Sequence, residues 1–458
     1  MWTVRPVALA GCVAALLLAS AMPSAHAAEA DASEHERSRQ FQETIALASS
    51  RLDREPDYVP ARLVRALAYY RTGQPAEALA DLDDVLARVP DDSGARTLRA
   101  LVGLELGRYT EALQDARGAL EASELPPENA GAAHLVVARV LLAQRRYADA
   151  TSHLQAVTAL PDATNARAAQ LTLELLRALP PPGLAPRVEP ASDGFQRFTL
   201  GEWLVEFQSD DGIALTTALS LARLLEAQMA AITTTTGVAY RGPLRLVIYK
   251  SEWDLEQHVG GHYRGPGRGR ALRQGVRTPG GGWTQHVHVA LTNYELLWNL
   301  THEAVHLAQA AAGLDDAFPR TIAWLVEGHA EQVTETVLRD MAPFSTAFRR
   351  RQRGSVVAEA AEQGRLLSLR ELEQFRDWDR VEPDTVALAY GQAYYAAARF
   401  VERFGAAAVF TLLRAQQAGA TAAEAFRTAT GGRALSDFDI DLQSQLRGWA
   451  AEDASSVE

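Results

Sequence analysis

The stretch GRYTEAL at residues 107–113 decides how the first part of the chain folds, because its pattern recurs along the sequence. Gly73 and Gly107 occupy equivalent positions in two successive units. Tyr109 recurs as Tyr147 after a slightly longer interval, so one unit carries a short insertion. A period of this length predicts stacked helical hairpins, each of which buries its apolar face against the next. Small residues at the recurring positions would let the paired helices approach closely.

The pattern Gly-x-Tyr-x-x-Ala-Leu resembles the tetratricopeptide repeat. The resemblance implies about three to four repeats between Ser38 and Ala178, stacked into a curved solenoid with a concave face. We therefore predict an all-α repeat domain over residues 28–178. Such a solenoid would recruit a protein partner or the substrate. A plain helical bundle is the alternative interpretation.

A second stretch, HEAVH at residues 302–306, contains candidate metal ligands and a candidate catalytic base. On a helix, residues i and i+4 share a face, so His302 and His306 would project side by side toward one cation. Catalytic zinc takes three protein ligands and leaves a fourth position for water, which Glu303 could deprotonate. Apolar residues at helical spacing before the motif predict the helix, with Asn293 as its N-cap. A surface helix that binds no metal is the alternative.

The segment WLVEGHAE at residues 324–331 follows, with twenty residues between His306 and Glu327. Together the two segments resemble the gluzincin metallopeptidases, and in particular the peptidase-MA-like bacterial proteins of the DUF1570 type. The resemblance implies that Glu327 is the third ligand, after His302 and His306, of a catalytic Zn²⁺ ion, and that the chain hydrolyses peptide bonds. The gap is slightly longer than in the family, and the loop between the two helices can absorb the difference.

The same resemblance implies a role for Glu331, which lies one helical turn after Glu327. A carboxylate at that offset bonds the outer nitrogen of a zinc-bound histidine, and such contacts fix the tautomer and orientation of the ring. We predict that Glu331 serves His302 in this way; an ordinary solvated glutamate is the alternative. His329 is expected to point away from the ligand face and to be structural.

The tetrahedral intermediate of peptide hydrolysis carries an oxyanion, which needs a hydrogen-bond donor. The segment AYGQAYY at residues 389–395 resembles the tyrosine-bearing segment that follows the zinc site in these families. The resemblance implies that Tyr390 polarises the scissile carbonyl; Tyr394 and Tyr395 are competitors, and core packing is the alternative for all three. Residues 280–289 hold no acid that could bind a substrate amino terminus, which favours an endopeptidase over an aminopeptidase.

The order of predicted elements indicates the fold class. Residues 179–194 are rich in proline and predict a linker. Alternating residues predict strands at 198–207 and 244–249 with a helix between them, and helices dominate the rest. This order fits an α+β gluzincin-like peptidase domain over residues 195–452, followed by a tail at 453–458.

Residues 286–289 alternate between polar and apolar, which predicts a half-buried strand. In gluzincins the strand before the zinc helix borders the cleft, so we expect this strand at the cleft edge. His286 and His288 would share an exposed polar face, and a second metal pair is the alternative. Residues 261–282 are rich in glycine and arginine and predict a solvated loop, or alternatively a mobile flap. Residues 349–351 are expected to form another solvated charged patch.

The amino terminus predicts a cleaved secretory signal over residues 1–27. Arg5 supplies the basic residue, residues 7–21 are apolar, and residues 25–27 form an A-x-A cleavage site. A lipoprotein anchor at Cys12 is the alternative, although most of the apolar core follows that cysteine. The apolar run is too short to span a bilayer comfortably. We therefore expect a periplasmic or secreted protein with no transmembrane segment.

The net charge of −12 argues against nucleic acid as the main partner. The motifs favour a zinc-dependent endopeptidase that acts outside the cytoplasm on peptide or protein substrates, with the repeats recruiting the substrate or a partner. The alternative is a tetratricopeptide-repeat adaptor whose peptidase-like domain is inactive. An aminopeptidase is the third hypothesis, and it lacks the expected acid.

Overall fold

The computed structural model describes residues 27–191, 194–209, 213–259, 271–277, 283–312, 322–374 and 383–455. The predicted signal up to residue 26, including Cys12, lies outside this part of the chain. So do most of the glycine- and arginine-rich segment and the end of the predicted tail. The expectations that fall on those residues stay predictions.

The first part of the chain is a row of helical hairpins. α2 pairs with α3, α4 with α5, and α6 with α7, while α1 and α8 flank them. The prediction of amino-terminal helical repeats is confirmed. The helices are α1 (Ala27–Arg54), α2 (Val59–Arg71), α3 (Pro75–Arg88), α4 (Ser93–Glu105), α5 (Tyr109–Leu120), α6 (Pro127–Ala143), α7 (Tyr147–Thr158) and α8 (Ala163–Ala178).

The recurring glycine is explained by the turn inside each hairpin, which needs a left-handed backbone. Gly73 has a φ of 73° and Gly107 a φ of 67° at this turn. In the third hairpin the same place is taken by Arg145, with a φ of 61°. Glycine adopts this conformation without steric cost, whereas a residue with a Cβ pays roughly 1–2 kcal/mol. The third repeat therefore departs from the pattern at its turn.

Ion pairs inside the hairpins follow the same period. In the second hairpin Arg99 donates to both carboxylate oxygens of Asp115 at 2.7 Å. The first hairpin has the same bidentate pair one repeat earlier, between Arg65 and Asp81. In the third hairpin His153 occupies the position equivalent to Asp115, and its Nδ1 lies 2.7 Å from the Nδ1 of His134. The position equivalent to Arg99 is Val137, so the third repeat lacks this Arg–Asp pair and brings two imidazoles into contact instead.

The second part of the chain is built on a mixed sheet. In the described residues the strand order is β1-β2-β3-β4-β6-β5. β3, β4 and β6 run parallel, while β2 and β5 are antiparallel to their neighbours. The strands are β1 (Glu189–Pro190), β2 (Phe195–Leu200), β3 (Trp203–Gln208), β4 (Leu244–Tyr249), β5 (Ala271–Arg277) and β6 (Trp283–Ala290).

Helices cover both faces of the sheet and continue to the end of the chain. α9 and α11 share an apolar core with one face, and α10 packs on the other. This arrangement confirms the coarse α+β prediction of repeats followed by a sheet and further helices. These helices are α9 (Leu215–Thr236), α10 (Glu252–Val259), α11 (Leu296–Ala311), α12 (Ala323–Leu338), α13 (Pro343–Glu362), α14 (Leu369–Gln374), α15 (Pro383–Phe404), α16 (Ala406–Gln417), α17 (Ala422–Thr430) and α18 (Leu435–Ser455).

The outer strand of the sheet lies where the sequence predicted a loop. β5 lies inside the segment that was predicted to be a loop, and it pairs with β6 with Arg273 opposite Val287. β6 is a strand as predicted, but β5 is the strand at the edge beside α11. The sequence ALRQGVR mixes arginine, glutamine and glycine without alternation, because an outer strand is paired on one side only. The period-2 pattern that identifies half-buried strands is therefore missing.

One apolar core extends from the repeats into the sheet. It contains buried residues of α4 to α8, of β2, β3, β4 and β6, and of α9 and α11. Residues 179–194, which were predicted to be a linker, include β1, and β1 pairs with β2. The repeats and the sheet are thus packed against each other.

A second core joins the helices that follow the sheet. Four large aromatic side chains meet there, Trp324, Phe400, Phe426 and Phe438, and all four are buried. Their contacts hold four helices together: α12, α15, α17 and α18. None of the helices in the described ranges combines enough length with enough apolar character to pass through a bilayer.

Candidate metal centre

The helix that carries the HEAVH motif is buried beneath the sheet. α11 begins at Leu296. Asn293, the predicted N-cap, instead forms the turn before the helix, where its side chain accepts the Glu295 N–H at 2.9 Å. His302 and His306 are 8% and 7% exposed, and their Nε2 atoms lie 3.1 Å apart. The spacing i, i+4 thus brings both rings to one point.

α12 supplies a carboxylate to the same point. Glu327 Oε2 lies 3.2 Å from His302 Nε2 and 3.6 Å from His306 Nε2. One ligand atom from each of the three residues falls within 4.8 Å of the others. The structure therefore brings together the three residues that the resemblance nominated as metal ligands.

The outer nitrogens of both rings are held by neighbouring side chains. His306 Nδ1 lies 2.7 Å from Gln309 Oε1, and Gln309 Nε2 donates to the Val326 carbonyl at 2.9 Å, which fixes the orientation of the amide. His306 Nδ1 is therefore the donor, and its Nε2 keeps a lone pair. His302 Nδ1 lies 3.1 Å from Glu331 Oε1. Glu331 thus lies at the ring it was expected to serve.

The converging atoms fit a zinc ion. Two ligands that each lie about 2.0–2.1 Å from tetrahedral zinc are about 3.3 Å apart. The separations of 3.1, 3.2 and 3.6 Å between the two Nε2 atoms and Glu327 Oε2 bracket that value. Two imidazole nitrogens and one carboxylate oxygen are the donor set of a catalytic rather than a structural zinc site. His302, His306 and Glu327 could therefore hold Zn²⁺.

The electrostatics of the cluster call for a positive charge. Burial opposes a charge on His302, but its contacts with Glu327 and Glu331 raise its pKa to about 10. Burial also opposes ionisation of Glu331, but the contact with His302 and the charge of Arg349 lower its pKa to about 2. The pKa of Glu327 is lowered against the effect of burial by His306 and His302. Both carboxylates are therefore ionised, and a proton or a metal ion must balance them.

Glu303 lies beside the cluster without joining it. Burial raises the pKa of its carboxyl, although the charges of His306 and His302 act in the opposite direction. The charge of Arg273 on β5 also reaches Glu303. A carboxyl group with a raised pKa is better suited to take up a proton near neutral pH. Glu303 is therefore placed and tuned as a base would be.

α15 packs directly against α12 and brings a tyrosine to the cluster. A Cβ at Gly328 would lie 1.9 Å from the Ala393 carbonyl oxygen, so glycine alone permits this approach. As a result the ring centroid of Tyr390 lies 6.4 Å from that of His302. Tyr390 is half-buried, at the side of the metal cluster.

The two competing tyrosines face elsewhere. The guanidinium carbon of Arg353 lies 3.3 Å from the ring centroid of Tyr394. The Tyr395 hydroxyl donates to Asp453 Oδ2 at 2.6 Å. Both rings thus belong to a buried polar network between α13, α15 and α18. Of the three tyrosines, Tyr390 is the one that lies beside the histidines.

Two residues of the site were not predicted from the sequence. Gln309 follows His306 by one helical turn, and that offset was a usable signal. Trp298 Nε1 donates to Glu331 Oε1 at 3.3 Å, and Trp298 precedes His302 by one turn on the same face. Gln309 contacts the His306 ring directly, whereas Trp298 contacts Glu331, which lies at the His302 ring.

The arginine patch on α13 was predicted wrongly. Arg349 donates to Glu295 at 2.6 Å, and its guanidinium carbon lies 5.3 Å from the Trp298 ring centroid. Arg350 donates to Glu335 at 2.9 Å. These arginines are only 25% and 36% exposed, because they pair with Glu295, which is 30% exposed, and with the buried Glu335. A run of charges does not reveal from sequence that it has such partners elsewhere in the chain.

The other histidines lie outside the cluster. His288 is 7% exposed, so the exposed polar face predicted for it is wrong; its Nδ1 lies 3.0 Å from the Tyr249 hydroxyl. Burial lowers the pKa of His288 to about 4. His329 is buried and its ring packs on Phe410. Within the described ranges, the cluster of His302 is the place where three ligand residues meet.

Comparison with known proteins finds a match within the first part of the chain. Residues 63–127 match the Tetratricopeptide repeat family. No curated protein and no solved structure matches the chain. Residues 63–127 are therefore similar to tetratricopeptide repeats, which suggests binding to protein partners. The match ends before the sheet begins, so it carries no information about α11 and α12.

Proposed function

We propose that the chain is a zinc-dependent peptidase. The observation that supports this best is the convergence of His302 Nε2, His306 Nε2 and Glu327 Oε2 within 3.6 Å, with the outer nitrogens of both rings held by Gln309 and Glu331. Metal-binding histidines in enzymes are oriented by such outer contacts. A packing role alone would not need two ionised carboxylates around one imidazole.

Each residue has a distinct task in the proposed reaction. His302, His306 and Glu327 would hold Zn²⁺, which when bound polarises the scissile carbonyl and lowers the pKa of water. Glu303 would take a proton from the attacking water on its carboxylate and pass it to the leaving amine nitrogen. The Tyr390 hydroxyl would donate a hydrogen bond to the carbonyl oxygen as negative charge develops there.

The surroundings of the site favour internal cleavage of extended peptides. Among the described residues β5 is the outer strand beside α11, so one side of its backbone would be open to pairing with an extended chain. The residues of β6 that face α11 are Gln285, Val287 and Val289, none of which is acidic. An aminopeptidase would need an acid there to bind the substrate amino group, so an endopeptidase is the better proposal.

The repeats and the amino terminus complete the proposal. Tetratricopeptide repeats would recruit a protein substrate or partner to the peptidase. A cleaved signal over residues 1–27 would place the mature chain in the periplasm or outside the cell. Sequencing of the mature amino terminus tests this: a start near Ala28 supports it, and an intact Met1 or a lipid on Cys12 contradicts it.

The decisive experiment on the mechanism is the substitution Glu303→Gln. The variant should retain one zinc per chain and lose cleavage of a quenched peptide library, because it keeps the ligands and removes the base. Glu362→Gln is the matched control, since Glu362 is an exposed residue of α13. Undiminished cleavage by Glu303→Gln would refute the mechanism.

The second candidate function is a repeat-based binding protein with an inactive peptidase-like domain. The match of residues 63–127 to a protein-binding repeat favours it. Stoichiometric capture of a peptide, without turnover by the zinc-loaded protein, would support this candidate over the first.

A further inference from the structure

The last full repeat is joined to the sheet domain by hydrogen bonds as well as by a shared core. The Ala214 N–H donates to the Ala143 carbonyl at 2.9 Å, and the Thr217 hydroxyl donates to the Leu142 carbonyl at 3.1 Å. Carbonyls in the last turn of a helix have no partner inside the helix. α6 therefore ends on the first turn of α9, and the repeats do not stand apart from the second domain.

A buried arginine of α6 reaches the loop before the metal-binding helix. Arg139 is 2% exposed. Its Nη1 donates to the Leu291 carbonyl at 2.8 Å and to the Asn293 carbonyl at 3.2 Å. The guanidinium carbon lies 4.1 Å from the ring centroid of Tyr294. One side chain of the repeats thus holds three of the residues that lead from β6 into α11.

Arg139 makes both hydrogen bonds through one nitrogen of its buried guanidinium group. Burying a charged side chain is costly unless it is paired and hydrogen-bonded. Here the charge lies near Glu105 and Glu252, and the tyrosine ring covers one face of the guanidinium. An apolar residue at position 139 would avoid the desolvation cost, but it would remove the donor of the buried Leu291 carbonyl and leave the Asn293 carbonyl with the 3.3 Å bond from the Leu296 N–H. The hydrogen bonds to the Leu291 and Asn293 carbonyls therefore explain why an arginine is buried at this position.

A second contact from the repeats fixes another element of the site. Glu174 on α8 accepts the Phe344 N–H at 2.7 Å and the Ser345 N–H at 2.9 Å. These amides are at the start of α13, where a carboxylate is favoured by the unpaired N–H groups and the helix dipole. α13 carries Arg349, whose charge acts on Glu331 beside the metal cluster. α11, which carries the two histidines, and α13, which carries Arg349, are thus both tied to the repeats.

We propose that the repeat domain is an internal clamp for the metal centre, and that Arg139 is a positioning residue that fixes the start of α11 and so the directions of His302 and His306. The proposal rests on the proposed function in that the clamped helix carries the zinc ligands. It adds that the repeats act on the site of their own chain, in addition to any partner they bind.

The test uses the full mature chain with three substitutions. Arg139→Met removes the donors but keeps most of the side-chain length, and Arg139→Lys keeps the charge. Arg99→Met is the matched control, because it breaks the ion pair with Asp115 inside the repeats. Hydrogen–deuterium exchange of residues 291–300 is measured on the metal-free proteins. Zinc affinity is measured by competition with a chelator, on samples whose circular dichroism matches the wild type.

We expect exchange at residues 291–300 to be about tenfold faster in Arg139→Met, with intermediate values in Arg139→Lys. Zinc affinity should fall by about tenfold in Arg139→Met. Arg99→Met should leave both quantities at the wild-type level, although it destabilises the repeats. If Arg139→Met fails to fold, the exchange of Arg139→Lys against Arg99→Met decides the question.

Exchange at residues 291–300 that is equal in the Arg139 variants and in Arg99→Met would overturn the clamp, whatever the zinc affinity. A wild-type protein that binds no zinc would overturn the proposed function. In that case the exchange measurement still tests the clamp, because it is made without metal. The two failures are therefore distinguishable.

Discussion

Two pairs of histidines bring ring nitrogens within contact distance, one pair in the repeats and one in the second domain. The Nδ1 atoms of His134 and His153 lie 2.7 Å apart on neighbouring helices. The Nε2 atoms of His302 and His306 lie 3.1 Å apart on a single helix. By distance alone, either pair could hold a cation.

The surroundings of the two pairs have opposite effects. Burial and mutual proximity lower the pKa of His134, and burial together with Arg117 lowers the pKa of His153. In the second domain the pKa of His302 is raised to about 10, because its two carboxylate contacts outweigh burial. One pair therefore repels an added positive charge, and the other requires it.

The difference teaches that the carboxylates, rather than the histidines, define the metal site. The repeat pair lies in a hairpin whose neighbour holds an Arg–Asp contact, that of Arg99 with Asp115. The second pair is built by contacts between helices far apart in sequence. Adding or removing carboxylate charge near either histidine pair should therefore change whether that pair binds a metal ion.

The largest expected effect is loss of metal. His302→Ala and Glu327→Ala should each reduce bound zinc from one per chain to less than about a tenth of that, because two ligands do not hold a catalytic zinc tightly. His134→Ala is the control and should keep one zinc per chain. Elemental analysis of the purified proteins measures this. Loss of zinc in His134→Ala, together with normal zinc content in His302→Ala, would place the metal site in the repeats instead.

The next effect concerns catalysis at the carboxylate-bearing pair. Tyr390→Phe should lower kcat by about 10²–10³ with little change in zinc content, because removal of one oxyanion donor has that magnitude. The matched control is Tyr394→Phe, whose ring lies against Arg353 rather than His302. Steady-state cleavage of a peptide substrate measures both. Equal losses of kcat in the two variants would assign Tyr390 to packing instead.

Much of this arrangement could be predicted from local spacing. The periodic glycines and tyrosines predict the repeats, and the offset i, i+4 between His302 and His306 predicts their convergence on a helix. Glu331 was predictable in the same way, since it lies one turn after Glu327. The third-repeat histidine pair was also within reach, because His153 stands one repeat after Asp115 once the insertion is counted.

The remainder depends on contacts that no local pattern records. Arg139 meets the carbonyls of residues 291 and 293, and Glu174 meets the start of α13; both contacts span more than one domain. β5 lacked alternation because it is paired on one side. His288 was expected to be exposed because its strand alternates, but α10 covers that face of the sheet.

A smaller effect is expected when one of the defining carboxylates loses its charge. Glu331→Gln keeps a hydrogen-bond acceptor near His302 Nδ1 but removes the negative charge, so zinc affinity should fall by about tenfold or more. Glu295→Gln is the control, since Glu295 pairs with Arg349 and does not contact a histidine ligand. Chelator competition measures both affinities. Unchanged affinity in Glu331→Gln would mean that the first three ligands alone define the site.

The smallest effect is on stability, and it is expected at the pair in the repeats. The pKa of both rings is lowered in the folded chain, whereas an unfolded histidine titrates at about 6.5. As pH falls below about 6.5 the unfolded chain therefore binds more protons than the folded one, and stability is lost. The loss should be under about 1 kcal/mol, because both rings are partly solvated.

His134→Arg combined with His153→Asp would replace the two imidazoles by an oppositely charged pair and remove this particular dependence. The difference in melting temperature between wild type and the double variant, measured at pH 7.5 and again at pH 5, isolates the pair from histidines elsewhere, which titrate in both proteins. The melting temperature of the variant should rise relative to that of the wild type at pH 5. The aspartate of the variant is still ionised at that pH, whereas protonation of the wild-type imidazoles destabilises the folded chain. A difference that is the same at both pH values would show that the imidazole contact contributes no pH dependence. The contrast between the two histidine pairs would then rest on the carboxylates of the second domain alone.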